Sequence, residues 1–352
     1  MLLLLPVYVA VNVAIALIFT DSGDLLRLRS FTLGFFLLAL GFRLVPWFMK
    51  ALRLWNWMHF LKHPFTFREG MRISMMSELG AAVSPTAIGG EPIKTGMLYR
   101  RGVSFGESAS LTTIAAIEDL GFYLVGIPTA FWLTAAWNIP QVNNFLNQAF
   151  SNLRNIFLIV GGVVAVITLL TILVKKTPLL SGIRDRLRKF WTEFRRLYVH
   201  MIKRGKWRYL LNIVLAAIHW TARYSVVAML TLSLGYEIDF LRFFLLQWLV
   251  FTLMSVVPTP GATGGAEGLF LLLFRGVLPQ QAIGTLLIGW RFIDFYFLTI
   301  LALIILGIDT VIHKVTKTEK AGMEAELEKV SGQQREVPEL NDETPRSGSS
   351  AR

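Results

Sequence analysis

Ser84-Pro85-Thr86-Ala87-Ile88-Gly89-Gly90-Glu91 returns later in the chain as Thr259-Pro260-Gly261-Ala262-Thr263-Gly264-Gly265-Ala266-Glu267, with the acidic residue displaced by one. Pro, Ala and both Gly residues coincide at an offset of 175. Each copy ends a stretch that is apolar but short: Met71–Val83 before the first, Arg242–Val257 before the second. At about 1.5 Å per residue such a helix falls short of the ~30 Å of bilayer hydrocarbon. Each copy therefore reads as the break of a re-entrant hairpin, two half-helices meeting inside the membrane. Pro85 and Pro260 end their helices because proline cannot donate and clashes with the preceding turn. Gly89, Gly90, Gly264 and Gly265 allow positive φ, or the close approach of a helix or ligand.

Outward from these breaks lie six apolar runs of spanning length: Met1–Thr20, Phe31–Met49 (extendable to Met58), Ser108–Trp137, Ile156–Val174, Tyr209–Leu234 and Ile283–Ile308. Over the whole 352 residues 54% are hydrophobic and 16% charged, against about a quarter charged in soluble domains. The chain is thus expected to be an all-α polytopic membrane protein. Met1–Thr20 lacks a basic leader and reads as a retained span rather than a signal peptide.

The similarity continues past the breaks. Arg101-Gly102-Val103 matches Arg275-Gly276-Val277, Asp119 falls opposite Asp294, and Arg43 falls near Arg223. Each half reads as span, span, broken hairpin, span. Three crossings per half is odd, so the halves are expected to be inverted repeats, a transporter design. The first repeat covers residues 1–137 with its hairpin at 71–100; the second covers 138–310 with its hairpin at 242–276. Residues 311–352 form a polar tail, expected to be disordered beyond Ser331.

The formal charge of +12 is concentrated between apolar runs, notably over Lys175–Arg208. That is the pattern of cytoplasmic loops on anionic lipid, not of a nucleic-acid module. If the N-terminus is cytoplasmic, the basic segments after spans two, four and six share one side, and both termini lie there in an inner, plasma-membrane-type bilayer. Gly182–Arg204 alternates basic residues with Leu187, Phe190, Trp191, Phe194 and Leu197, the signature of an amphipathic surface helix. There is no cysteine, which excludes disulfides and thiolate metal sites. No metal site, cofactor or catalytic residue is assigned.

Ionisable residues within apolar runs cost on the order of 3 kcal/mol each to insert and so point to function. They are Arg43, Glu78, Glu91, Glu118, Asp119, His219, Arg223, Glu267, Arg291 and Asp294. Arg291 and Asp294 are three apart and could pair with each other. Glu118 and Asp119 are adjacent, lack a local basic partner, and call for a distant Arg, a proton or a cationic ligand. His219 reads as a packing residue. Glu91 and Lys94 lie one turn apart and could pair or touch a head group. The candidate substrate-binding set is Arg43, Pro85, Gly89, Gly90, Glu91, Lys94, Glu118, Asp119, Arg223, Pro260, Gly264, Gly265, Glu267, Arg291 and Asp294. Arginine suits phosphate through bidentate donors, while the carboxylates suit an amine or hydroxyls. A large amphipathic ligand with a charged head fits this mixture.

Ala82–Lys94, Arg100–Val103, Pro258–Glu267 and Arg291–Tyr296 resemble the lysylphosphatidylglycerol synthase transmembrane-region family, also described as flippase-like membrane proteins. The similarity covers roughly Met1–Lys314. It implies movement of anionic or aminoacylated phospholipid head groups between leaflets, with the breaks and embedded charges lining the path. The bacterial multiple peptide resistance factor, which carries such a region, continues into an aminoacyltransferase domain that has no counterpart here. The chain is therefore not expected to charge lipids itself. A scaffold that gathers lipid-synthesis enzymes, or an embedded lipid-modifying enzyme, is the alternative.

Overall fold

Arg43, Lys50, Arg53 and Trp57 recur at spacings of seven, three and four along α1 (Leu33–Phe60) and so share one helix face. That face is turned inward: Arg43, Arg53 and Trp57 are buried, while Leu33, Phe35, Leu37, Leu38 and Phe48 are exposed. A helix that hides its charges and shows its leucines is built for a lipid solvent. The computed structural model describes residues 31–84, 89–133, 181–254 and 264–308, with isolated residues between 135 and 165. The runs Met1–Thr20 and most of Ile156–Val174, the segments holding Pro85 and Pro260, and the tail lie outside the described residues.

Among the described residues every regular element is helical. α2 (Phe67–Val83) and α3 (Gly90–Arg100) flank the first break, and α4 (Phe105–Leu133) follows. α5 (Ser181–Arg204) leads through Gly205 into α6 (Lys206–Tyr224) and α7 (Val226–Ser233). α8 (Phe240–Met254) and α9 (Gly265–Phe274) flank the second break. α10 (Gln280–Arg291) passes into a π-helical turn (Phe292–Phe297), and α-geometry then resumes over 298–308. Four helical stretches are long and apolar enough to cross a membrane: Leu33–Phe60, Phe105–Leu133, Lys206–Ser233 and Gln280–Ile308. They match the expected spans to within a few residues, save that the fifth is divided at Ser225. The chain is an all-α polytopic membrane protein.

Met1–Ala302 forms one compact unit. Within it α1 packs on α2, α6 and α7, and α4 packs on α5 and α6. Two apolar clusters form. One joins α6 to α10 around Phe244, Phe270 and Trp290; the other lies around Trp57, Ile73, Leu98 and Met201. Leu303–Arg352 forms the second unit, described only as far as Ile308.

The first hairpin shows what its glycines are for. A Cβ on Gly90 would stand 2.7 Å from the Ser77 carbonyl oxygen, and one on Gly89 would stand 2.7 Å from that of Gly80. Gly89 has φ −62°, so these two glycines serve the close approach of α2 and α3 and not a positive φ. Ser77 Oγ donates to the Gly90 carbonyl at 2.9 Å, and the Gly89 N–H donates to Ser84 Oγ at 2.8 Å. Gly264, by contrast, does have a positive φ of 82°. Replacing Gly90 with Ala is expected to destabilise the protein by about 1–3 kcal/mol, the usual cost of overpacking. Gly96→Ala, where a Cβ meets nothing within 4 Å, should be neutral or stabilising. Denaturation of the two purified variants in mixed micelles separates these outcomes.

Candidate functional site

The inward faces of α1, α2, α4, α6, α8 and the π-helical turn enclose a cavity of about 490 Å³. Its polar end holds Arg43, Glu78, Arg223 and Asp294; its walls include Tyr123, Trp220, Trp248, Phe251 and Trp290. Arg43 is the hub. Its NH2 donates to Glu78 at 2.9 Å and to the Asp294 backbone carbonyl at 3.2 Å, and its Nε faces the Asp294 carboxylate. Asp294 also accepts from Trp290 Nε1. Glu78 is shared with Lys50 at 2.9 Å.

Arg223 is held differently. Its guanidinium lies 4.5 Å from the Phe251 ring centroid and 5.7 Å from that of Trp220. Its nearest carboxylate contact is Glu78 at 4.0 Å, and its buried Nε has no hydrogen-bond partner. In this cavity Arg43 and Arg223 face the two carboxylates Glu78 and Asp294, and Lys50 reaches Glu78 from a smaller cavity. Tyr123 and Tyr224 join their hydroxyls at 2.9 Å on the same wall.

A second, smaller cavity of about 70 Å³ lies between α1, α2, α3 and α4. Lys50, Ser77, Glu91, Lys94, Glu118 and Asp119 line it. The cavities follow one another along three helices. On α1 the order is Arg43, Lys50, Arg53; on α2 it is Ser77 then Glu78; on α4 it is Asp119 then Tyr123. The smaller cavity thus lies toward the end of the bundle flanked by Lys62, Arg68 and Arg101. Two interactions stand between the cavities: Lys50 with Glu78, and Trp220 Nε1 donating to Asp119 Oδ1 at 3.1 Å.

Arg53 anchors the wall of the smaller cavity. It donates to Glu118 at 3.0 Å, to Asp119 at 2.7 Å and to the Ala115 carbonyl at 2.7 Å. Glu118, wholly buried, accepts further from Trp57 Nε1 at 2.7 Å and Asn212 Nδ2 at 3.0 Å. The adjacent carboxylates therefore have their cation in the protein. Lys50 and Arg53 lie past the shorter bound of the second expected span, Met49, and inside its extension to Met58. The helix runs on past them to Phe60, and their seven-three-four spacing with Arg43 and Trp57 was the signal.

Other expected pairings change as well. Arg291 does not pair with Asp294; its Nε meets Glu267 at 2.6 Å. The π-helical turn begins directly after Arg291, and its wider winding sends the two side chains to different neighbours. Glu267 is fully buried and also accepts from the Gly264 N–H at 2.8 Å, tying the start of α9 to α10. Gly265 is the first residue of α9. Glu91, largely exposed, reaches Lys94 at 3.4 Å. His219 is buried, stacks on Trp220 at 4.5 Å, and has no hydrogen-bond partner on either ring nitrogen. Of the expected set, Arg43, Arg223, Arg291 and Asp294 line the larger cavity, and Glu91, Lys94, Glu118 and Asp119 the smaller.

A cavity lined by charge and aromatic rings inside a bundle of apolar spanning helices is a feature of a polytopic membrane protein. The chain belongs to the lysylphosphatidylglycerol synthase TM region family, whose pattern matches residues 3–302. It is also similar to a UPF0104 membrane protein of Archaeoglobus fulgidus, with 27% identity over 274 residues, covering 74% of this chain and 81% of that one.

Proposed function

We propose that this protein is a flippase-like lipid transporter whose larger cavity receives the charged head group of an (amino)phospholipid or related lipid. The acyl chains stay in the bilayer while the head group crosses. The observation that carries the reading is a weakly paired guanidinium, Arg223, at the polar end of a cavity of about 490 Å³ walled by aromatic rings. A phosphodiester gives that guanidinium a closer charge partner than Glu78 does, and guanidinium donors match its oxygens. The carboxylates Glu78 and Asp294 offer partners to an amine carried on the same head group. The reading assigns transport and no catalytic step.

In this reading both termini are cytoplasmic and the smaller cavity is the cytoplasmic side of the path. Passage requires Lys50–Glu78 and Trp220–Asp119 to part. The halves act as inverted repeats. One correspondence supports that: Arg43 and Arg223, matched between the halves, both approach Glu78.

Purified protein in vesicles should speed the exchange of fluorescent phospholipids between leaflets, read as loss of fluorescence to a membrane-impermeant reductant. Anionic and aminoacylated head groups should exchange fastest. Vesicles that exchange no faster than protein-free ones, across anionic, zwitterionic and aminoacylated lipids, would sink the proposal.

A further inference from the structure

Outside the cavities, the largest feature without a role is α5. Ser181–Arg204 holds eight Lys and Arg against two acidic residues. At about 100° per residue the helix divides into three sectors. The first faces the bundle. Phe190 meets Phe105 at 5.4 Å, the Phe194 carbonyl accepts from Ser110 Oγ at 3.1 Å, and Met201 is buried in the cluster around Trp57. Gly106 lets the two helices close up, since a Cβ there would stand 2.9 Å from Glu193 Cβ.

The second sector is apolar and has no partner among the described residues. Leu187, Trp191 and Ile202 are exposed along it, Trp191 to 62%. Their neighbours Phe194 and Tyr198 extend it as a ladder of stacked rings: Trp191 on Phe194 at 5.4 Å, Phe194 on Tyr198 at 5.8 Å. The third sector, directly beside the stripe, is basic: Arg188, Arg195, Arg196 and Lys203 are all exposed.

The level of this surface is set by its connection. One residue, Gly205, joins α5 to the spanning stretch Lys206–Ser233, and Trp207, 83% exposed, opens that span. A helix one residue away from a membrane crossing lies at the bilayer surface, where aromatic rings settle at the head-group level. An apolar stripe beside a basic row at that height matches the boundary between acyl chains and anionic head groups.

We propose that α5 is a docking surface for the anionic lipids of one leaflet: Leu187, Trp191 and Ile202 enter the acyl boundary while Arg188, Arg195, Arg196 and Lys203 gather anionic head groups beside α4. This site is separate from the cavities, and its test does not depend on transport. Because α5 is pinned to α4, the lipid it gathers stands next to the helix that carries Glu118 and Asp119.

The absence of cysteine makes the test direct. Single variants Trp191→Cys, Ile202→Cys and Thr192→Cys of the full chain, each bearing an environment-sensitive fluorophore, are placed in nanodiscs of phosphatidylcholine with or without phosphatidylglycerol. Positions 191 and 202 should be blue-shifted and quenched by nitroxides high on the acyl chain, while 192 reads water. At equal mole fraction, head-group-labelled phosphatidylglycerol should quench more than labelled phosphatidylcholine, by roughly fivefold in local enrichment, and less in high salt. The combined variant Arg188→Gln/Arg195→Gln/Arg196→Gln/Lys203→Gln should erase that preference while keeping the blue shift at 202. Fluorophores at 191 and 202 that read bulk water would overturn the proposal. So would equal quenching by the two lipids.

Discussion

Arg53→Ala is expected to destabilise the protein by about 3–5 kcal/mol, the cost of leaving buried carboxylates without their cation. Three acceptors depend on this one side chain: Glu118, Asp119 and the Ala115 carbonyl. Glu118 is wholly buried, and its other donors, Trp57 and Asn212, are neutral. Lys cannot replace the planar fork, so Arg53→Lys should fall between wild type and Ala. The triple variant Arg53→Met/Glu118→Gln/Asp119→Asn should recover much of the loss, because it removes the charges together. Unfolding midpoints in mixed micelles, measured for all three, check the account. A triple variant no more stable than Arg53→Ala would refute it.

Arg223→Gln is expected to act on transport and to leave stability nearly unchanged. Arg223 is the cation of the larger cavity with the weakest internal pairing, its nearest carboxylate contact being at 4.0 Å. Hydrogen bonds to charged groups contribute about 1.5–3 kcal/mol, so losing its contact with a phosphate should slow exchange roughly ten- to hundredfold. Arg43→Gln should impair exchange too, but with a fall in stability, since Arg43 holds Glu78 and Asp294. Exchange rates and unfolding midpoints on the same preparations separate the roles. Wild-type exchange in Arg223→Gln would remove Arg223 from the path.

Much of the fold was legible because a lipid solvent writes plainly. Apolar length located the four described crossings, and the first Pro/Gly copy begins at Ser84, directly where α2 ends. The pairing of charges was less legible. Arg53 fell between the two bounds of its span, Met49 and Met58, because positive charge beside an apolar run usually marks a membrane edge. The helix takes the longer bound and runs to Phe60. Arg291 and Asp294 looked like partners because three residues apart on an α-helix is one face, and the π-helical turn breaks that rule. Gly89 and Gly90 could have served φ or close approach; the packing of α2 on α3 decides for approach, which no local sequence signal states.

The π-helical turn at Phe292–Phe297 also makes the placement of the central carboxylate a question of phase. Closing it into α-geometry would rotate Asp294, midway along the turn, by roughly half the ~100° that one residue spans, without interrupting the span. Arg43 would lose its second carboxylate while Arg291 kept Glu267. Deleting one residue in this turn would do the same permanently. The charge at the heart of the cavity is therefore timed by a single winding irregularity rather than fixed by the helix that bears it.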